Sequence, residues 1–148
     1  MQIIGHRRNL GQWAARGAAA FCAAFAVFQA ALALGAPYGQ IVWGGSSAVL
    51  PGDLRAASAA AAVYLLLAGA AMLVRAGDWG RTLPQKLFWG LNAFLALQFA
   101  LNTLANLAAK TGAERYGMGA ASALGCLLCV GALFAASSSP PARPRGRG

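Results

Sequence analysis

The chain has 148 residues, 59% of them apolar and 10% charged, and its twelve basic residues outnumber three acidic ones to give a net charge of +9. A soluble fold of this length needs polar side chains over its outside, so this balance excludes an ordinary water-soluble domain and points to lipid as the surrounding solvent. The basic residues punctuate the apolar runs instead of gathering in one patch, which excludes a nucleic-acid partner and fits contact with the anionic headgroups of a lipid bilayer.

The first apolar run, residues 17–35, follows Arg7, Arg8 and Arg16. Its basic start and its small residues Ala31, Ala33 and Ala36 would suit a cleaved signal peptide. The run approaches the roughly 20 residues that cross hydrocarbon, longer than the apolar core of a signal peptide, so an uncleaved helix is expected. The connection over residues 36–55 is broken by Pro37, Gly39, Gly44, Gly45, Pro51 and Gly52. It also carries Val42, Trp43, Val49 and Leu50, too apolar for a freely solvated loop, and predicts a packed lid or an interfacial segment.

A second run covers residues 56–74, a third 87–107 and a fourth 118–136. Arg75, Arg81 and Lys86 flank the turn residues Gly77, Gly80 and Pro84 of the second connection, and Gly112 breaks the third. Residues 137–148, with Arg143, Arg145 and Arg147, have nothing to bury and predict a disordered basic tail. Lipid leaves no partner for an unpaired backbone group, and strand-like alternation is missing, so each run should be a helix. The expected fold class is all-α, a transmembrane four-helix bundle forming one domain over residues 1–136.

Nine of the twelve basic residues lie in the N-terminus, the second connection and the tail, against Arg55, Lys110 and Arg115 in the other two connections. That bias predicts a multi-pass protein of the cell membrane with both termini cytoplasmic and the connections 36–55 and 108–117 outside. Trp13, Trp43, Trp79 and Trp89 all fall near span ends, where amphipathic rings anchor a helix at the interface.

The third run carries Asn92, Gln98, Asn102, Thr103 and Asn106. At helical spacing Asn92, Gln98, Asn102 and Asn106 fall within an arc of roughly 120°, and amides cannot be left facing lipid tails, so this face should look into the bundle. Gln29, Ser58 and Ser122 lie at the same outer depth, with Asp53, Arg55, Glu114 and Arg115 at the mouth. Two readings follow: amides that hold helices together, or an outward-facing pocket for a small polar or amphipathic ligand, lidded by residues 38–50. The candidate ligand-binding residues are Gln29, Arg55, Ser58, Gln98, Asn102, Asn106, Glu114 and Arg115.

Between Ala33 and Arg115 the chain resembles an uncharacterised family of small bacterial four-helix integral membrane proteins. The residues that carry the resemblance are Gly35 to Gly39 (Gly-Ala-Pro-aromatic-Gly), Trp43 to Gly45, Leu50 with Pro51, Leu54 with Arg55, Asn102 with Asn106, and Glu114 with Arg115. The resemblance implies a four-span fold whose outer face is the informative surface; it implies no reaction.

Cys126 and Cys129 form a Cys-x-x-Cys of the kind found in membrane thiol/quinone oxidoreductases, but mid-span thiols without a basic neighbour are poor nucleophiles and read as small packing residues. The small residues Ala121, Gly125 and Cys129, like Ser122 and Cys126, recur at four-residue spacing. They mark a close helix seam, inside the bundle or against a membrane-protein partner or second copy. His6 is the single histidine and the three acidic residues all fall in connections, so neither a metal, a cofactor nor proton-coupled export is called for. The expectation is a membrane protein without catalytic activity that binds a ligand or partner, with a facilitator of a small neutral solute as the alternative and a thiol/quinone oxidoreductase third.

Overall fold

A computed structural model of the protein describes residues 2–80 and 82–135, with side chains from Asn9 onward. Four helices form an all-α bundle: α1 over Gln2–Ala33, α2 over Gly52–Ala76, α3 over Gln85–Leu107 and α4 over Gly119–Leu133. A wide π-helical turn, Ala113–Met118, leads directly into α4, and a single 3-10 turn, Gly39–Ile41, sits in the loop between α1 and α2. Four helical stretches are long and apolar enough to cross a membrane, Asn9–Ala33, Gly52–Ala76, Gln85–Leu107 and, with the π-helical turn and α4 taken together, Ala113–Leu133. The outside of the bundle agrees, since Leu66, Leu67, Leu97, Leu101 and Leu127 are each more than half exposed, an apolar surface suited to lipid. The expected basic tail over residues 137–148 lies outside the described residues.

The helices form a ring in the order α1, α2, α3, α4, and the packing around it is uneven. Small residues on α1, namely Ala15, Ala18, Cys22 and Ala26, are almost wholly buried and let α2 and α4 approach closely. A Cβ on Gly11 would run into the backbone of Phe134 and Ala135, so α1 and α4 touch there almost backbone to backbone. The small residues of α4 face inward too: Ser122, Gly125, Cys129 and Ala132 are buried, which makes their spacing an internal seam. The α2–α3 seam is the loosest of the four adjacent pairs, and it opens towards the end that carries the α1–α2 and α3–α4 connections.

Gly125 shows how closely the middle is fitted. Phe21 and Phe99 meet edge to face at 5.5 Å between centroids, and a Cβ at residue 125 would come within 2.9 Å of one ring and 3.1 Å of the other. Gly125→Leu is therefore expected to destabilise the bundle by about 1–3 kcal/mol through overpacking. Gly90→Ala, whose Cβ meets nothing within 4 Å, should change stability by no more than about 1 kcal/mol, in the favourable direction. Thermal unfolding of both variants in one detergent checks the contrast.

Three arginines finish helices other than their own. The last carbonyls of a helix have no intrahelical donor, and in lipid they find no water. Arg55 Nε donates to Ala33 O at the end of α1 (2.8 Å), Arg115 Nη2 to Ala109 O just past α3 (2.9 Å), and Arg75 Nη2 to Ala132 O and Ala135 O at the end of α4 (3.2 and 2.7 Å). Backbone closes α1 and α2 as well: Gly35 and Gly77 adopt φ 99° and 81°, and the N–H groups of Gly35 and Ala36 return to Leu32 O and Ala31 O as those of Gly77 and Asp78 return to Val74 O and Leu73 O.

These contacts move several boundaries read from the sequence. Arg75 is not a headgroup contact in a connection but part of α2, 2% exposed. Arg16 lies inside the first span, where Nε and Nη2 hold both oxygens of Asp78 at 2.8 and 2.7 Å. The fourth apolar helical stretch begins at Ala113 instead of residue 118, which puts Glu114 in its first turn instead of in the connection.

Candidate functional site

A cavity of about 370 Å3 occupies the end of the bundle where α1 and α3 finish and α2 and α4 begin. Its polar lining comes from every helix: Gln29 on α1, Tyr64 on α2, Gln98, Asn102 and Asn106 on α3, and Glu114 and Ser122 on the turn and helix of the fourth span. Phe21, Leu95 and Phe99 close its floor, and Phe25, Val42 and Trp43 line it higher up.

The α1–α2 loop forms its roof. Val42 and Leu50 are 5% and 3% exposed and pack with Leu32 of α1 into a small core of their own, against which Phe28, Leu54 and Met118 lean. Three ties hold the loop in place: Gly39 N–H donates to Ala48 O within it (2.7 Å), the Trp43 indole Nε1 donates to Ser58 Oγ on α2 (3.0 Å), and Gly44 N–H donates to Glu114 Oε1 (3.1 Å). Trp43 takes φ 54°, followed by Gly44 and Gly45 at 83° and 65°. Left-handed backbone is easy for glycine and costs a bulky residue of the order of 1 kcal/mol or more, so the packing and the Ser58 bond hold Trp43 in a strained conformation.

The fourth span's first turn has its own logic. Thr111 Oγ1 accepts the Glu114 N–H (3.2 Å), the side-chain half of a Thr-x-x-Glu capping box. In that motif the glutamate ordinarily reaches back to the N–H of the capping residue; here it reaches across to the loop at Gly44. Glu114 is 7% exposed, and its other oxygen, Oε2, has no hydrogen-bond partner among the described residues. Gln29 Oε1 is likewise buried without one.

Of the eight residues marked from the sequence, Gln29, Gln98, Asn102, Asn106 and Glu114 line the cavity. Ser58 stands behind it, wholly buried, as the acceptor for Trp43. Arg55 and Arg115 do not line it, because each is engaged on a helix-end carbonyl.

The amide face of α3 is split. Asn92 is wholly buried and donates to Cys129 O (3.1 Å), and Asn106 donates to Ser122 Oγ (3.2 Å), so these two tie α3 to α4. Gln98 Oε1 instead accepts a hydrogen bond from the Tyr64 hydroxyl across the α2–α3 seam. Asn102 departs from the expectation that the whole face is enclosed: it is exposed at the cavity's open edge, where α2 and α3 diverge. It lies five residues before the end of α3, about 7.5 Å along the axis, a depth near the headgroups. Thr103 contributes nothing to the site, since its hydroxyl bonds back to Phe99 O (2.8 Å).

Tyr64 escaped the sequence reading, and Trp43 was marked only as part of the loop and as an interfacial anchor. Tyr64 lies within an apolar run, where the signal was a hydroxyl that needs a partner at mid-span. Trp43 had been grouped with the interfacial tryptophans; Trp13, Trp79 and Trp89 are at least half exposed at the opposite end, whereas Trp43 turns its ring to the cavity. None of the three cysteines lines the cavity. Comparison with family models, with curated proteins and with solved structures finds no match for this chain.

Proposed function

We propose that this chain is a multi-pass membrane protein that binds a small polar or amphipathic ligand, without catalysing a reaction, in a cavity facing the outer side of the cell membrane. One observation carries the reading: two buried acceptors without donors, Glu114 Oε2 and Gln29 Oε1, line the same lidded cavity as the free edge of the α3 amides. A buried polar atom left unpaired costs roughly 1–3 kcal/mol, so a ligand or water that donates to it is favoured there. A solute facilitator would need polar groups continuing to the opposite side. Below Gln98 the seam turns apolar, Phe21 and Phe99 close the floor, and Asn92 is wholly buried away from the cavity lining, its Nδ2 given to Cys129 O and its Oδ1 without a partner among the described residues.

The orientation rests on the basic residues. Arg55 and Arg115, two of the three on the cavity side, are committed to carbonyls and leave Lys110 as the exposed one there. Arg16 and Arg75 on the opposite side are engaged too, with Asp78 and the α4 carbonyls, so the orientation stands on the overall count of nine basic residues against three. With the native cysteines replaced by alanine, Ser46→Cys should react with a membrane-impermeant thiol reagent added outside intact cells, and Trp79→Cys only after the membrane is opened. The reverse pattern would invert the topology. Mass spectrometry of the protein extracted in native lipid then tests the function itself: a stoichiometric small molecule is expected, lost when Asn102 and Asn106 are both changed to Leu, and a protein that carries none counts against the reading.

A further inference from the structure

The polar cavity does not end at the Tyr64–Gln98 bond. An apolar groove of about 250 Å3 continues along the same α2–α3 seam, lined by Leu67, Ala68, Leu91 and Phe94 and sharing Tyr64 and Leu95 with the cavity above. From Tyr64 to Met72 it follows eight residues of α2, about 12 Å. Leu67 and Phe94 are 67% and 59% exposed, so the groove is open sideways to the bilayer. A polar chamber joined end to end with an apolar channel has the shape of a head and a chain.

The chemistry of the head follows from the charges. The Glu114 carboxylate is more than nine-tenths buried, and among the described residues one of its oxygens has no partner and no basic side chain lines the cavity. Arg115, its neighbour in sequence, is turned to Ala109 O. A carboxylate buried without a cation is costly, and a ligand that brings the cation removes that cost. The rings of Phe25, Trp43 and Tyr64 line the same space, and aromatic faces attract an ammonium group. A phosphate on the head would meet a carboxylate and no positive group.

Building on the ligand-binding reading above, we propose that cavity and groove together hold a single-chain amphiphile with a cationic ammonium head and no phosphate, the head beside Glu114 and the hydrocarbon chain along the α2–α3 seam. The chain enters sideways from the bilayer, and the Tyr64–Gln98 bond marks the boundary between head and chain.

Native mass spectrometry of the full chain in a non-ionic detergent tests this, with titrations of dodecyltrimethylammonium, tetramethylammonium, dodecyl glucoside and a lysophosphatidylcholine. Dodecyltrimethylammonium should bind once per chain, at least about tenfold more tightly than each of the other three. Glu114→Gln keeps an acceptor for Gly44 N–H; it should weaken dodecyltrimethylammonium by at least about tenfold and leave dodecyl glucoside unchanged. Ala68→Phe, which fills the groove away from the head, should weaken the same ligand and spare tetramethylammonium. Equal binding of the glucoside, or indifference to Glu114→Gln, overturns the cationic head and leaves the cavity reading standing; tighter binding of the lysophospholipid overturns the exclusion of phosphate. If no amphiphile binds although the thiol of Asn102→Cys, that cysteine being the probe, reacts from water, this proposal alone falls. If that cysteine is also unreactive, the cavity reading falls with it.

Discussion

Replacing Arg75 with methionine is expected to cost about 2–4 kcal/mol of stability, the largest loss from any single polar side chain in the bundle. The guanidinium is 2% exposed and gives Nη2 to two carbonyls, Ala132 O and Ala135 O, on residues that are themselves 0% and 4% exposed. Without it Ala135 O loses the Arg75 donor and Ala132 O keeps only the Ala135 N–H, and the favourable placement of a cation at a helix C-terminus is lost as well. An opposing effect exists, because methionine spares the chain the desolvation of a charge. Arg75 lies in the last turn of α2, close to the interface, where that recovered energy is small compared with its value at mid-bilayer. Unfolding in graded sodium dodecyl sulfate measures the balance. Lys86→Met, on an exposed side chain, should leave the midpoint where it is. An unchanged midpoint for Arg75→Met would mean that Arg75 behaves as a solvated surface charge and that α4 ends in water.

The helices themselves were legible because lipid permits so few alternatives: a run of about 20 apolar residues must satisfy its backbone internally. The boundaries at Arg16 and Arg75 were not, for one shared reason. Hydropathy treats a charge as the end of a span, whereas Arg16 and Arg75 lie within theirs because each has a fixed partner elsewhere in the fold, Asp78 for one and the α4 carbonyls for the other. Glu114 was readable: Thr111-x-x-Glu is a capping-box signature and marks a helix start several residues before residue 118. Its second partner, Gly44, was not, since no local rule links a loop to a helix seventy positions later.

The candidate site shows a similar division. The amide-bearing helix was identifiable from spacing alone, and the loop's apolar content foretold its packing, with Val42 and Leu50 buried while Val49 stays half exposed. Periodicity could not say which neighbour each amide would meet. Asn92 and Asn106 went to α4 and Gln98 to Tyr64, and that partition follows from the unequal tightness of the four seams. The tightness is written in small residues on α1 and α4, and its consequence for α2 and α3 emerges only when the ring closes.

The second large effect concerns water. If the α2–α3 opening is a hydrated chamber beneath the loop, a thiol placed there ionises and reacts, whereas one on the lipid-facing side of the same helix does not, because a thiolate is disfavoured in hydrocarbon. Leu101 and Leu104 provide that comparison, at 57% and 64% exposed on the outside of α3. The decisive measurement is the rate at which a membrane-impermeant thiosulfonate modifies Asn102→Cys and Leu101→Cys in reconstituted protein whose native cysteines are replaced by alanine. Modification of Asn102→Cys on the order of a hundredfold faster is the predicted result. Equal, slow modification of the two positions would place Asn102 against lipid tails and contradict the account.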